Sequence, residues 1–289
     1  MDTGVVAVVL LGALLHAGWN TLVKSGGDKE LDLVLVHAFG ALAALPLLAL
    51  AGPPPAACWP YLATSLVVHV AYYLTLNGAY QHGDLGTTYP IMRGSAPLLV
   101  ALGSITVLGE HLGLVAWLGI CAVTAGVLLV GLARPAEALH HGRAVAYALA
   151  NALVIACYTV VDGQGVRLAT ASGSNAASYV LLLFVLDGLP YPALVLWRRG
   201  RAGWPAVKAY GAARWLRTTL GGLASLGSYG IALWAMTRAP VAVVSALRET
   251  SVLFATALSV AVLKERFGAQ RVLGAAIIVA GVVALRLSR

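Results

Sequence analysis

Four charged residues stand inside long apolar runs of this chain: Arg93, Asp187, Arg248 and Glu249. A charge at the centre of a bilayer costs roughly 2.5 to 3.5 kcal/mol on insertion scales, so each one needs a partner or a task. Two cations and two anions can neutralise one another as an ion-pair lock. The same groups can also meet a ligand, an arginine suiting a carboxylate and a carboxylate suiting an amine or a proton. A lock that opens when the ligand arrives would serve both purposes.

Polar and aromatic residues recur around these charges with helical spacing. Ser65, His69, Tyr73, Asn77 and Tyr80 follow one another at intervals of 4, 4, 4 and 3, which keeps them on one helical face. His16, Trp19 and Asn20 share a face, as do Tyr147, Asn151, Tyr158 and Asp162, and Ser225, Ser228 and Tyr229 lie close together. In lipid such a face turns toward the protein interior or a wet cavity, so it either lines a site or glues helices. Tyr80, Asp162 and Trp234 fall near expected helix ends, where an interfacial belt accounts for them equally well. The candidate binding set is therefore His16, Trp19, Asn20, His69, Tyr73, Asn77, Arg93, Asn151, Tyr158, Asp187, Ser228, Tyr229, Arg248 and Glu249.

The elements that position these residues follow from composition. The chain has 289 residues, 60% hydrophobic and only 10% charged. An average soluble domain carries about 25% charged residues. Nineteen basic and eleven acidic side chains cannot coat a water-soluble globule of this length, which argues against a soluble enzyme, a nucleic-acid binder or a disordered chain. A membrane helix needs about 20 mostly apolar residues. Such runs occur ten times, approximately over 4–23, 32–51, 60–81, 85–108, 113–132, 143–163, 176–197, 212–236, 240–263 and 268–286. The expectation is an all-α membrane protein of ten spans. The first run has an acidic start and no small-residue cleavage site, so it reads as a retained helix. Little chain remains for a soluble catalytic domain, and no GxxxxGK[ST] phosphate loop is present.

The sequence also repeats. A shift of 155 positions places Arg93 on Arg248, Glu110 on Glu265, Gly119 on Gly274 and Gly126 on Gly281 without a gap. Each half then holds five spans, and an odd number turns the second half upside down relative to the first. The expected organisation is a first repeat over 1–133, a linker over 134–142 and a second repeat over 143–289. Many carriers place their substrate between such halves.

Loop charges suggest an orientation. One side carries 13 Lys and Arg residues, from Lys24 and Lys29 through Arg198, Arg199 and Arg201 to Lys264, Arg266 and Arg271. The other side carries four: Arg167, Arg238, Arg286 and Arg289. The positive-inside rule then puts both termini outside the cytoplasm.

Other features read as structural. Pro90 and Pro97 flank Arg93 and predict a kink, or a break that frees carbonyl groups. The glycine pairs seven residues apart predict close helix packing. Glu110 and Glu265 are expected to cap the following helix or pair with local cations, outside the binding site. Cys58, Cys121 and Cys157 lack metal or CxxC spacing and read as apolar filler. No HExxH or GxSxG motif accompanies the histidines, so neither an enzyme, a metal nor a cofactor is expected.

The doubled unit of Pro97 or Val252, then Leu108-Gly109-Glu110 or Leu263-Lys264-Glu265, then Gly-x6-Gly, resembles the EamA domain. Two such domains make a member of the drug/metabolite transporter superfamily. His16-Ala17-Gly18-Trp19-Asn20 and Arg248-Glu249-Thr250-Ser251 look like one bacterial branch of it. The resemblance implies a central cavity among the first four helices of each half, with the fifth packed outside. It also implies both termini in the cytoplasm, against the loop charges. The implied activity is secondary export of amino acids or related metabolites across the bacterial inner membrane, with multidrug efflux as the alternative. The partners expected are a small-molecule substrate and the lipid bilayer, without nucleic acid or an obligatory protein partner.

Overall fold

A computed structural model describes residues 1–24, 26–83, 85–131, 142–263 and 268–288. Lys264, Glu265, Arg266 and Arg289 lie outside the described residues, as does the linker expected over 134–142 apart from Gly142. Among the described residues every regular element is a helix. They are α1 (Thr3–Lys24), α2 (Lys29–Ala51), α3 (Trp59–His82), α4 (Leu85–Leu108), α5 (Leu114–Gly131), α6 (Gly142–Ala171), α7 (Ala176–Asp187), α8 (Pro190–Arg199), α9 (Gly203–Met236), α10 (Val241–Arg248), α11 (Ser251–Leu263) and α12 (Ala269–Leu287). Short 3-10 turns precede α3 and α9.

The ten expected spans are not matched one for one. The run over 176–197 is broken between α7 and α8, and the run over 240–263 between α10 and α11. Eight stretches are long and apolar enough to cross a membrane, one of which runs from Ala176 to Met236 and holds three helices. Helix α3 is not among them, since its stripe of Tyr, His, Thr and Asn lowers its apolar content. The outward faces suit lipid: Leu50, Val67, Leu118, Leu220 and Val279 are all exposed. Such an apolar exterior would not survive in water.

Local chemistry explains the breaks. Pro190 has no N–H to continue the ladder from α7, and Gly188 turns the chain there. After Arg248 the backbone tightens into i to i+3 bonds, Glu249 N–H donating to Ala246 and Thr250 N–H to Leu247. The Thr250 hydroxyl donates to that same Leu247 carbonyl at 2.7 Å. Of the two outcomes expected at the prolines, the break does not form: α4 runs as one helix through Pro90 and Pro97.

The packing carries an internal two-fold. Helix α5 lies along α12, α4 meets α10, and α2 meets α7, each pairing a span with its repeat equivalent. Helix α1 packs on α9 while α3 packs on α6, the same contact made twice with the halves exchanged. The halves are thus interleaved. The glycine seam makes this explicit: a methyl on Gly126 would stand 2.8 Å from the Gly274 carbonyl, and one on Gly281 would stand 2.9 Å from the Gly119 carbonyl. Only glycine lets the backbones of α5 and α12 approach so closely. The chain ends meet as well, the Met1 ammonium donating to the carbonyls of Arg286 and Ser288 at 3.3 Å each.

Candidate functional site: an arginine and tyrosine centre between the repeats

The middle of the bundle is where α4 of the first repeat faces the break after α10 of the second. There Arg93 Nη2 lies 2.9 Å from Glu249 Oε1. Both side chains are buried, at 9% and 4% exposure. The pair spans the two repeats, because Arg93 rides on α4 and Glu249 on the turn that ends α10. Arg93 Nε and Glu249 Oε2 are left without a hydrogen-bond partner among the described residues.

Arg248, the repeat equivalent of Arg93, has different company. Its guanidinium lies 5.0 Å above the ring of Tyr229 on α9. It has no carboxylate within ion-pair distance among the described residues, although it is buried. A cation over an aromatic face is attracted by about 0.5 to 2 kcal/mol, which is less than a buried cation needs. The Tyr229 hydroxyl donates in turn to Asp162 Oδ2 at 2.6 Å, and Tyr179 donates to Asp162 Oδ1 at 3.0 Å. Asp162 is fully buried. The interfacial reading of Asp162 is therefore corrected: α6 extends to Ala171, so Asp162 sits nine residues inside its end.

Aromatic rings close the centre. His69 stacks on Tyr158 at 4.5 Å, and Tyr158 meets Tyr72 and Tyr229 edge-on at 6.2 Å each. His16 lies close enough to feel the charges of both Arg93 and Arg248, and Trp19 meets its ring edge-on at 5.3 Å. Seven of the fourteen sequence candidates thus surround the centre: His16, His69, Arg93, Tyr158, Tyr229, Arg248 and Glu249. Trp19 joins them through His16.

The other candidates lie elsewhere. Tyr73 and Asp187 form a second cluster with His37, described below. Asn151 donates to the Tyr72 carbonyl and the Thr75 hydroxyl, at 3.0 and 2.9 Å, and so ties α6 to α3. Asn20 donates back to its own helix at His16. Asn77 is exposed. Ser228 is buried, with its carbonyl against Gly12 of α1. The grouping of Asp187 with the two arginines is corrected likewise: its carboxylate faces His37 and Tyr73, and the carboxylate paired with Arg93 is that of Glu249.

Glu110 closes one rim of the centre. Its Oε1 accepts from Arg167 Nη2 at 2.5 Å and from the Val241 N–H at 2.9 Å. Arg167 also donates to the carbonyls of Met236 and Ala239, at 2.7 and 3.0 Å. Glu110 therefore caps α10 of the other repeat and not the helix that follows it. This ties the end of α4 to the same short helix that carries Arg248. At the opposite rim, Arg199 Nε donates to Glu30 at 2.8 Å, and its Nη2 reaches Asp28 at 3.0 Å. Arg199 clamps the start of α2 to the end of α8.

A bundle of interleaved, oppositely oriented repeats with charges buried between them defines a class, the inverted-repeat membrane carriers. The chain belongs to the EamA-like transporter family, whose model matches residues 3–132 and 142–287. It is accordingly a multi-pass membrane transporter of the drug/metabolite transporter superfamily. A solved structure, described only as the crystal structure of a protein, is similar over 99% of this chain and 98% of its own, with a TM-score of 0.77 and 18% identity. At that identity the likeness concerns the fold. No curated protein matches the chain significantly.

Proposed function

We propose that the protein is a secondary carrier that exports amino acids or related carboxylate-bearing metabolites by alternating access across the bacterial inner membrane. One observation carries this reading: Arg248 is a buried cation resting on Tyr229, with no carboxylate to pair with among the described residues. A substrate carboxylate completes it, and such a charge-assisted bond is about twice as strong as a neutral one. The unpartnered Glu249 Oε2 suits the substrate ammonium. The rings of Tyr158, Tyr229, His16 and Trp19 suit an apolar or aromatic side chain. The two repeats hold opposite sides of this set, so binding draws on both halves. On the loop charges, both termini lie outside the cytoplasm.

The test is uptake of a labelled amino-acid panel into proteoliposomes, with and without a pH gradient. Saturable uptake of several amino acids is the expected result. Stabilisation by bulky organic cations, with no response to any amino acid, would replace this reading with multidrug efflux. A reporter fused to the C-terminus checks the orientation, and a cytoplasmic signal there would reverse it.

A further inference from the structure

His37 on α2, Tyr73 on α3 and Asp187 at the end of α7 form a second polar cluster. His37 Nδ1 lies 2.8 Å from the Leu33 carbonyl, which can only accept, so Nδ1 carries a hydrogen. His37 Nε2 lies 2.8 Å from Tyr73 Oη and 3.8 Å from Asp187 Oδ2. Tyr73 Oη lies 3.5 and 3.4 Å from the two carboxylate oxygens.

A phenol has one hydrogen. While the imidazole is neutral, Nε2 accepts and Tyr73 gives its hydrogen there, leaving Asp187 without that donor. One added proton reverses the order. Nε2–H then donates to Tyr73 Oη, and the phenol hydrogen turns to Asp187. No covalent bond changes apart from the N–H that the proton forms. The result is an imidazolium linked by a continuous donor chain to a carboxylate.

The position of the cluster gives this rewiring an effect. Asp187 is the last residue before the break between α7 and α8. At Gly188 the chain lies so close to α2 that a methyl there would stand 2.4 Å from the Ala41 methyl and 3.2 Å from the His37 carbonyl. Among the described residues, the titratable groups meeting His37 are Tyr73 of α3, Asp187 of α7 and Tyr191 of α8, whose ring centre is 5.5 Å away. Helix α9 also packs along α2, but Tyr210 and Arg214 lie toward its start, where Tyr210 reaches Asp28 and Asp32. The His37 and Asp187 side chains keep 19% and 17% exposure, against 9% or less for the Arg93–Glu249 pair.

We propose that His37, bridged by Tyr73 to Asp187, is a proton-binding site distinct from the arginine centre, and that its protonation drives the carrier by resetting the break after α7. The driving role rests on the amino-acid reading above, whereas the proton site does not. The full chain in lipid, with 15N-labelled histidine, tests the site directly. Spectra are recorded from pH 8 down to pH 5, and protonation shows as a second ring N–H on His37. Tyr73→Phe or Asp187→Asn moves the midpoint of that change, because each removes a member of the donor chain between the ring and the carboxylate. A ring that keeps one form across that range, or a midpoint unmoved in both variants, overturns the site. Labelled phenylalanine in the same vesicles tests the driving role. His37→Gln keeps exchange at equal pH and loses accumulation under a pH gradient. Accumulation at the wild-type level in that variant overturns the coupling. Wild-type vesicles that never exchange phenylalanine would sink the substrate reading instead, while the ring titration still judges the proton site.

Discussion

Arg93 and Arg248 occupy equivalent positions in the two repeats, yet they sit in opposite circumstances. Arg93 lies within a continuous helix, although prolines flank it, and has Glu249 as its partner. Arg248 ends a broken helix that has no proline at the break, and it rests on a tyrosine ring. Duplication supplied two arginines, and one carboxylate satisfies only one of them. The difference teaches that the repeat is symmetric in its frame and asymmetric in its charges. On the function proposed above, that asymmetry makes Arg248 the cation open to a substrate.

Substitutions can break or sharpen that contrast. Arg248→Ala should reduce amino-acid flux in proteoliposomes to background while the melting temperature stays close to the wild-type value. Retained flux would remove Arg248 from the mechanism. Arg93→Met should instead destabilise the fold by about 3 to 5 kcal/mol, because it leaves Glu249 as an uncompensated buried charge. Adding Glu249→Gln to that variant should restore most of the stability. Thermal unfolding in detergent reads both, and equal stability of the single and double variants would contradict the pairing.

Where the repeats are alike, the outcomes should be alike. Gly126→Ala and Gly281→Ala press methyls against carbonyls at 2.8 and 2.9 Å, so each should cost about 1 to 3 kcal/mol and the two should match. Clearly unequal losses would deny the two-fold at the seam.

The smallest effect lies at the helix starts. Span 2 begins with Asp28, which accepts from Leu31 N–H at 3.1 Å, and span 7 begins with Asn175, which accepts from Ser178 N–H at 2.9 Å. Replacing either by Ala should cost about 1 kcal/mol. Only the aspartate cap can titrate. Partial burial pushes its carboxyl up, but the Leu31 N–H and the Arg199 guanidinium outweigh that and hold it below the ordinary 3.8. Its contribution is therefore complete above pH 3.8 and fades as pH falls through the lower folded value. Thermal unfolding followed by circular dichroism should show the loss in Asp28→Ala shrinking as pH falls below 3.8, and the loss in Asn175→Ala unchanged over the same range.

Much of this frame was legible in the sequence, because lipid imposes long apolar runs and makes isolated charges conspicuous. Arg93, Arg248 and Glu249 stood out for that reason, and the shift of 155 residues foretold the glycine seam. What escaped was local geometry. Asp162 looked interfacial because polar residues follow it in sequence, while α6 in fact continues two more turns to Ala171. Asp187 was visible, but not its company, since a lone His37 on an apolar helix gives no signal until the break after α7 brings the groups together. The break after Arg248 had no proline to announce it. The prolines of α4 left both a kink and a break open, and the helix stays whole because one missing N–H at each does not unseat a helix held on several sides.

Helix α10 has a mechanical consequence. It is eight residues long, about 12 Å, less than half the thickness of a hydrocarbon core. One end is gripped by Glu110 at the rim and the other carries Arg248 in the interior. A rod of two turns, hydrogen-bonded along its length, is too short to bend, so its ends must travel together. Parting Glu110 from Val241 therefore also moves Arg248. In this protein the latch at the surface and the hand inside are two ends of one lever.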